Sequence, residues 1–240
     1  MKILGLDSSG IVASVAIVED ENLIAEYTVN YKKTHSQTLL PMLDELVKMT
    51  ELDLDTIDAI AVAAGPGSFT GLRIGSATAK GLGLALKKPL VEIPTVDALA
   101  YNLYDSRALI CPIMDARRSQ VYTGIYRFQE HKLVTVEAQM AVPMAEMIEK
   151  LNARGEEVVF LGDGVPVFGK MIQENLKVPY SFAPAHVNKQ RAAAVAALGL
   201  IYYREGKTET AMEHIPDYLR VSQAERERAE REAAKADGNA

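Results

Sequence analysis

The sequence predicts an α/β protein of two lobes, because one order of elements, β-β-β-α-β-α, occurs twice along the chain. An aspartate closes the first predicted strand of each half, at Asp7 and at Asp115. A Gly-x-Gly turn follows the fourth predicted strand of each half, at 65–67 and at 162–164. The halves share pattern more than residue identity, and we interpret them as an internal duplication.

The first half opens with three closely spaced segments of strand character, which is typical of an antiparallel meander. Thr34 is a suitable helix N-cap, and apolar residues recur at helical spacing after it. The continuous apolar run at 57–64 is typical of a central strand covered on both faces. The predicted elements are strands 2–8, 11–18 and 23–31, helix 35–49, strand 57–64, helix 70–86 and strand 90–93.

The second half repeats the beginning of this order and then adds an alanine-rich helix. Its predicted elements are strands 108–114, 120–127 and 132–139, helix 144–152, strand 158–161, helix 167–176 and the added helix 189–204. We place the first lobe at 1–100, the second at 101–215 and a C-terminal segment at 216–240. The stretch 222–240 has almost no apolar face, which predicts a disordered charged tail.

Composition narrows the range of functions. The 240 residues include 26 lysines and arginines against 32 aspartates and glutamates, a net charge of −6. Proteins that bind nucleic acid unaided usually show a basic face, so solitary RNA binding is disfavoured. No apolar run approaches the roughly 20 residues of a membrane span. A single cysteine, Cys111, excludes an internal disulfide framework; together with an N-terminus unlike a signal peptide, it favours the cytoplasm.

Several strings of residues point to one family. The most specific is Gly65–Gly75, GPGSFTGLRIG, and the others are ILGLDSS at 3–9, THSQTLLP at 34–41, DARR at 115–118 with VY at 121–122, and YLR at 218–220. Together they resemble the TsaB (YeaZ-type) proteins of bacterial tRNA threonylcarbamoyladenosine synthesis, within the actin-like ATPase superfamily. The resemblance implies an actin-like (ribonuclease-H-like) topology for both lobes. It also implies that the segment from Pro216 returns to the first lobe.

The same resemblance implies a role. TsaB proteins have no known complete active site and heterodimerise with a TsaD-type paralogue, which transfers the threonylcarbamoyl group to an adenosine of tRNA. A TsaE-type ATPase joins them. We therefore expect a non-catalytic scaffold or activator that meets tRNA only through the complex and binds no membrane.

Small residues dominate the predicted helix 70–86. They form two rows at four-residue spacing, Gly71, Gly75, Ala79 and Gly83 in the first and Ala77, Gly81 and Ala85 in the second. Each internal glycine costs about 1 kcal/mol of helix propensity relative to alanine, so a close backbone approach must compensate. The residues predicted to bind the partner are the first row and three leucines of the preceding helix, Leu39, Leu43 and Leu46. The alternative is that the small residues all face the sheet of their own lobe.

A vestigial or shared nucleotide site is a second candidate, with Asp7, Gly65, Gly67, Ser68, Arg73 and Asp115 as its residues. In actin-like ATPases such aspartates hold Mg²⁺ and phosphate across the cleft. No basic residue follows Asp7 before Lys32, and 65–75 lacks the Gly-Lys-Ser/Thr of a Walker loop. The alternative is that both aspartates cap strand ends and that the glycines serve tight turns. We expect no cofactor on the chain alone, with ATP or ADP at a subunit interface as a candidate.

No metal site is predicted on the first helix. In the catalytic paralogue two histidines at i and i+4 bind a metal there, whereas here His35 is followed by Leu39. Serine catalysis is disfavoured because no histidine lies near Ser68 in sequence and no nucleophile elbow is present. Two other functions stay open: a stand-alone ATP-dependent small-molecule kinase, and a homodimeric binding protein that uses the small-residue face on itself.

Overall fold

The computed structural model describes residues 1–31 and 34–219, and the predicted charged tail lies outside these residues. The first half contains β1 (Lys2–Asp7), β2 (Val12–Glu19), β3 (Asn22–Asn30), α1 (His35–Thr50), β4 (Ala59–Gly65), α2 (Phe69–Leu86), β5 (Leu90–Pro94) and α3 (Thr95–Tyr101). The second half contains β6 (Leu109–Asp115), β7 (Gln120–Gln129), β8 (Lys132–Pro143), α4 (Met144–Arg154), β9 (Val158–Leu161), α5 (Val165–Asn175), β10 (Tyr180–Phe182) and α6 (Ala192–Arg204). Both halves therefore follow the repeated order.

The two sheets have the same topology. The first runs β3-β2-β1-β4-β5 and the second β8-β7-β6-β9-β10. In each sheet the first three strands of the half are antiparallel neighbours, and the next two extend the sheet in parallel from its first strand. The predicted duplicated α/β fold is confirmed, and the two sheets share one strand order. Among the described residues, no helix combines the length and apolar character needed to cross a membrane.

The first sheet is covered on both faces, which explains why its central strands are continuously apolar. On one face, α1 and α2 pack on β1 and β4 through residues such as Leu39, Leu43 and Ala79. On the other face, Val195 and Leu198 of α6 pack against the same strands. The predicted second lobe, 101–215, is therefore wrong for α6, because its apolar residues complete the core of the first lobe.

The sequence prediction also missed short elements. The helix α3 and the strand β10 were not predicted, and α6 begins at Ala192 rather than at 189. A helix of seven residues and a strand of three contain too few periods for the hydrophobic pattern to mark them.

The segment after α6 runs back along the first lobe. Glu209 forms an isolated antiparallel bridge with Leu90 at the edge strand β5. Further on, the Asp217 backbone N–H donates to the Ala64 carbonyl at 2.8 Å. The Asp217 carboxylate also accepts a hydrogen bond from Gln139 Nε2 of β8 at 2.8 Å. This segment thus touches both lobes.

Candidate partner surface and inter-lobe cleft

The predicted partner row of α2 lies inside the first lobe. Gly71, Gly75, Ala79 and Gly83 are all buried. A methyl group at Gly71 would overlap the Ser8 carbonyl oxygen, and a Cβ at Gly75 would lie 2.6 Å from Ser8 Oγ. The prediction that this row binds a partner is therefore wrong. Gly71 and Gly75 are small because Ser8, directly after β1, lies against them, whereas Gly83 packs against Leu90 and Ala211. The alternative, that all the small residues face their own lobe, holds for this row only.

The three predicted leucines of α1 are also internal. Leu39, Leu43 and Leu46 are between 1% and 4% exposed and belong to one cluster with Ile60 and Val62. Their helical spacing was identified correctly, but it marks the face that α1 turns toward its own sheet. The prediction that these three leucines contact a partner directly is therefore also wrong.

Other residues of the two helices are exposed, and we call one group of them the outer face. It consists of Leu40 and Asp44 of α1 and of Arg73, Ala77, Gly81, Leu84 and Ala85 of α2. Leu40 and Leu84 are 52% and 59% exposed, so much of their apolar surface meets water. A Cβ at Gly81 would meet no atom within 4 Å. The second row of small residues therefore faces outward, and no contact among residues 1–31 and 34–219 explains its glycine.

An inter-lobe cleft of about 420 Å³ lies between the two sheets. The first lobe contributes the loop after β1 and the start of α2, and the second contributes the end of β6 and the start of α5. Its lining residues are Ser9, Gly10, Ile11, Gly67, Ser68, Met114, Asp115, Ala116, Arg117, Tyr122, Asp163 and Val167. Of the six residues predicted for a nucleotide site, this cleft brings together Gly67, Ser68 and Asp115.

The two equivalent aspartates hold the loops that follow their strands. Asp7 Oδ1 accepts hydrogen bonds from the Ser9 N–H at 2.9 Å and from Ser9 Oγ at 2.6 Å. Asp115 Oδ1 accepts from the Arg117 N–H at 2.8 Å. Each carboxylate therefore binds the backbone two residues ahead, which is the capping arrangement offered as the alternative to phosphate chemistry.

The environments of the two aspartates differ. Asp7 is 1% exposed, does not line the cleft, and its Oδ2 has no hydrogen-bond partner. Burial raises the pKa of Asp7 from 3.8 to about 6, against the hydrogen bonds from Ser9 that favour the carboxylate. Asp115 lies at the cleft beside Asp163, whose Oδ1 accepts from the Asp115 N–H at 3.2 Å. Burial is also the main cause of the raised pKa of Asp163.

The other residues predicted for the nucleotide site make contacts that stabilise the fold. Gly65 has φ +133°, and a Cβ there would overlap the Asp217 carbonyl oxygen of the returning segment. A Cβ at Gly67 would overlap the Ser9 carbonyl oxygen. Ser68 caps α2, since its Oγ accepts from the Gly71 N–H at 3.3 Å. The Arg73 guanidinium stacks on Phe69 at 3.9 Å and does not line the cleft.

The charges lining the cleft do not suit the phosphates of a nucleotide. Asp115 and Asp163 contribute two carboxylates, and the only lysine or arginine among the lining residues is Arg117. Its guanidinium lies 3.1 Å from Asp115 Oδ2 and is 86% exposed. A polyphosphate here would meet more negative than positive charge unless another molecule supplied cations. The residues present therefore do not complete a nucleotide site.

His35 is used to hold a turn. Its Nε2 lies 2.8 Å from the Gly10 carbonyl oxygen in the loop between β1 and β2.

Sequence reasoning missed Gln190, which is 1% exposed, lies against Gly10 and has no hydrogen-bond partner for either amide atom. It also passed over Asp163, although the Gly-Asp-Gly turn marked that position.

Two lobes of identical strand order, each with an aspartate at the end of its first strand and with one cleft between them, define an actin-like α/β protein. The family model described as "TsaD: tRNA N6-adenosine threonylcarbamoyltransferase" matches residues 22–228. The chain belongs to the TsaB family. It is 34% identical to the tRNA threonylcarbamoyladenosine biosynthesis protein TsaB of Bacillus subtilis (strain 168), over 94% of this chain and 96% of that protein.

Further similarities agree with this assignment. The protein of the same name from Escherichia coli (strain K12) is 30% identical over 92% of this chain and 95% of its own length. The solved structure of YeaZ from Pseudomonas aeruginosa superposes with a TM-score of 0.78 at 26% identity, covering 91% of this chain and 99% of that one. The resemblance inferred from the sequence motifs is confirmed, and it extends into the second half.

Proposed function

We propose that this chain is a non-catalytic scaffold subunit in the transfer of a threonylcarbamoyl group to an adenosine of tRNA. Its partner would be a TsaD-type transferase, which it would hold in the active arrangement. Membership of the TsaB family supports the biosynthetic system. The observation that carries the partner role is the outer face, where Gly81 lies on the exposed side of α2 and no contact in the described part of the chain requires a glycine.

The outer face suits a helical partner. Ala77, Gly81 and Ala85 leave a shallow groove on α2 into which another helix can pack at short distance. Leu40 and Leu84 add exposed apolar surface, and aliphatic side chains at such positions contribute to binding when a partner removes them from water. The contact would use the same two helices as predicted, through the opposite side of α2.

A scaffold role also agrees with the cleft. Ser68 Oγ is occupied in capping α2, and His35 Nε2 lies on the Gly10 carbonyl. Among the residues that line the cleft, none is a histidine or a cysteine that could act as base or nucleophile. We infer that the chain alone holds no nucleotide, and that ATP or ADP binds only where a partner supplies the missing positive charge.

The wider complex follows from the same proposal. A TsaE-type ATPase would join the heterodimer, and tRNA would be bound through the complex, in agreement with the net charge of −6. The place of action would be the cytoplasm, where Cys111 stays a thiol; it is 0% exposed and the partners it touches are within the second lobe.

Light scattering on the full chain, alone and mixed with the TsaD-type paralogue of the same cell, tests the proposal. ATP and the TsaE-type subunit are supplied in parallel samples. We expect a stable mixed species for the native chain and its loss in Gly81→Arg, because the new side chain would fill the groove. The matched control is Gly169→Arg on α5, another helical glycine whose Cβ would meet no atom within 4 Å.

The outcomes separate the alternatives. If the paralogue and this chain stay separate with nucleotide and the third subunit present, the scaffold role is wrong. If Gly81→Arg and Gly169→Arg bind the paralogue equally well, the partner does not use the outer face. Phosphoryl transfer to a small molecule by the pure chain would instead support the kinase alternative. A homodimer of the chain alone that Gly81→Arg abolishes, with no mixed species, would support the homodimeric alternative.

A further inference from the structure

A histidine and two glutamates converge on the first lobe, outside the inter-lobe cleft. Glu92 lies on β5, and Glu209 and His214 lie on the returning C-terminal segment. His214 Nδ1 is 2.6 Å from Glu209 Oε1 and 3.0 Å from Glu92 Oε1. The three side-chain donor atoms all lie within 4.8 Å of one another. The geometry therefore presents one nitrogen and two oxygens to a common point.

The cluster carries excess negative charge. Even with His214 protonated, two carboxylates and one imidazolium leave a net charge of −1. Within the described residues, no lysine or arginine forms an ion pair with Glu92 or Glu209. Two nearby lysines have other contacts: Lys207 Nζ is 2.7 Å from Glu205 Oε2, and Lys80 Nζ donates to the His214 carbonyl at 2.9 Å. A divalent cation would neutralise the two carboxylates.

The histidine is buried and its backbone is held in place. The His214 side chain is 0% exposed, and the His214 carbonyl accepts a hydrogen bond from Lys80 Nζ. Buried polar atoms are nearly always hydrogen-bonded, yet His214 Nε2 and Gln139 Oε1 have no partner. Gln139, Glu92 and Glu209 line the same cavity of about 340 Å³. The cavity gives a bound ion room for a water or another oxygen ligand.

The donor set favours zinc over magnesium. Zinc takes histidine nitrogen and carboxylate oxygen at about 2.0–2.2 Å in tetrahedral geometry, so its donors lie roughly 3.3–3.6 Å apart. The distances from His214 Nδ1 to the carboxylate oxygens of Glu209 and Glu92, 2.6 and 3.0 Å, are hydrogen-bond distances. A small outward movement of the two glutamates would admit the ion. Magnesium prefers six oxygen ligands and is poorly matched to an imidazole.

We propose that Glu92, Glu209 and His214 form a binding site for a divalent transition-metal ion, best suited to zinc, that fastens the C-terminal segment to β5. The ion replaces the proton shared between His214 Nδ1 and the carboxylates, and binding releases that proton to solvent. The cavity supplies the remaining ligand position. The proposal does not rest on the proposed partner, because zinc binding is measured on this chain alone.

Calorimetric titration of the chelator-treated full chain with Zn²⁺, and separately with Mg²⁺, tests the site. We expect one saturable Zn²⁺ site, no competition by Mg²⁺, and a rise in melting temperature with Zn²⁺. Loss of an outer-shell contact typically weakens metal binding about 10–100-fold, so Glu92→Gln and Glu209→Gln should each weaken it at least about tenfold. Glu213→Gln is the matched control, since Glu213 lies in the same segment and contacts Thr210 instead.

Circular dichroism establishes that each variant is folded, and anomalous scattering from zinc-soaked crystals locates the ion. An anomalous peak between Glu92, Glu209 and His214 would support the site. Absence of saturable Zn²⁺ binding by the native chain would overturn it. Equal affinities for the native chain, Glu92→Gln and Glu209→Gln would overturn it too, because the ion would then be bound elsewhere.

Discussion

Asp7 holds a local turn, but its burial lowers the stability of the whole fold. Its carboxylate is needed to hold the loop after β1 through Ser9, but its Oδ2 is buried without a partner. Burying an unpaired charge is unfavourable, so the pKa of Asp7 is raised from 3.8 to about 6. Residues with strongly shifted pKa values cluster at functional sites, and Asp7 holds the loop whose Ser9 lines the cleft.

A pH-dependent effect on stability follows for Asp7→Asn. The folded state holds the Asp7 proton more tightly than the unfolded state, so the contribution of Asp7 to the free energy of unfolding falls as pH rises from about 4 to about 6. The shift corresponds to about 3 kcal/mol at most. Asp7→Asn lacks this titration. We therefore expect the free energy of unfolding of Asp7→Asn, measured relative to that of the native chain, to rise by up to about 3 kcal/mol between about pH 4 and about pH 6.

Urea unfolding at several pH values between 4 and 7 measures this difference. Asp44→Asn is the control, because the Asp44 carboxylate is 61% exposed and lies in the same lobe. Stability curves for the native chain and Asp7→Asn that stay parallel across the window would show that Asp7 does not titrate as its burial requires.

The helix α2 has two faces of small residues with opposite uses. Gly75 is small because Ser8 lies against it, and Ser8 Oγ also donates to the Gly71 carbonyl at 2.9 Å. Gly81 faces open space. We expect Gly81→Ala to stabilise the isolated chain by about 0.5–1 kcal/mol through helix propensity. Gly75→Ala should destabilise it, because the added methyl group displaces a buried hydroxyl.

Denaturant unfolding of the two alanine variants side by side measures both effects. Because they lie on one helix and make the same chemical change, each serves as the control for the other. Equal shifts in the unfolding midpoint would mean that the two faces of α2 are not distinguished by internal packing.

Sequence periodicity identified α2 and its small residues but not which row faces outward. Both rows repeat every four residues and neither contains a charge, so the polarity that usually distinguishes the faces of a helix is missing. The strand-end aspartates were found from position alone, whereas the burial of Asp7 depends on packing around it. The group of Glu92, Glu209 and His214 had no sequence signal, because the return of the C-terminal segment brings distant residues together.

At the scale of the molecule, the chain crosses between lobes more often than a two-domain division suggests. It enters the second half after α3, comes back with α6, and then sends Asp217 to a contact with Gln139 of β8. The helix α6 fills the second face of the first sheet, so the first lobe cannot form its complete core without residues 192–204. A fragment ending near residue 100 would lack one layer of that core.

The contact that attaches α6 to the first lobe should therefore contribute strongly to global stability. Glu26 of β3 is 8% exposed; its Oε2 accepts from Arg191 Nε at 3.0 Å and its Oε1 from the Ala193 N–H at 3.1 Å. The carboxylate thus pairs with a guanidinium and lies at the positive end of α6. Glu26→Gln removes the charge while keeping the shape, and we expect a loss of about 1–3 kcal/mol in the free energy of unfolding.

Chemical denaturation measures the loss in the free energy of unfolding, and hydrogen exchange follows the α6 amides in parallel. We expect the whole first lobe to be destabilised, rather than α6 alone. Asp20→Asn is the matched control at the other end of the same helix, where Asp20 Oδ1 lies 2.9 Å from Arg204 Nη2 and both side chains are about half exposed. An exposed pair is screened by water and should matter little. If Glu26→Gln were no more damaging than Asp20→Asn, α6 would be held by apolar packing alone, and the ion pair at its start would serve only to orient the chain.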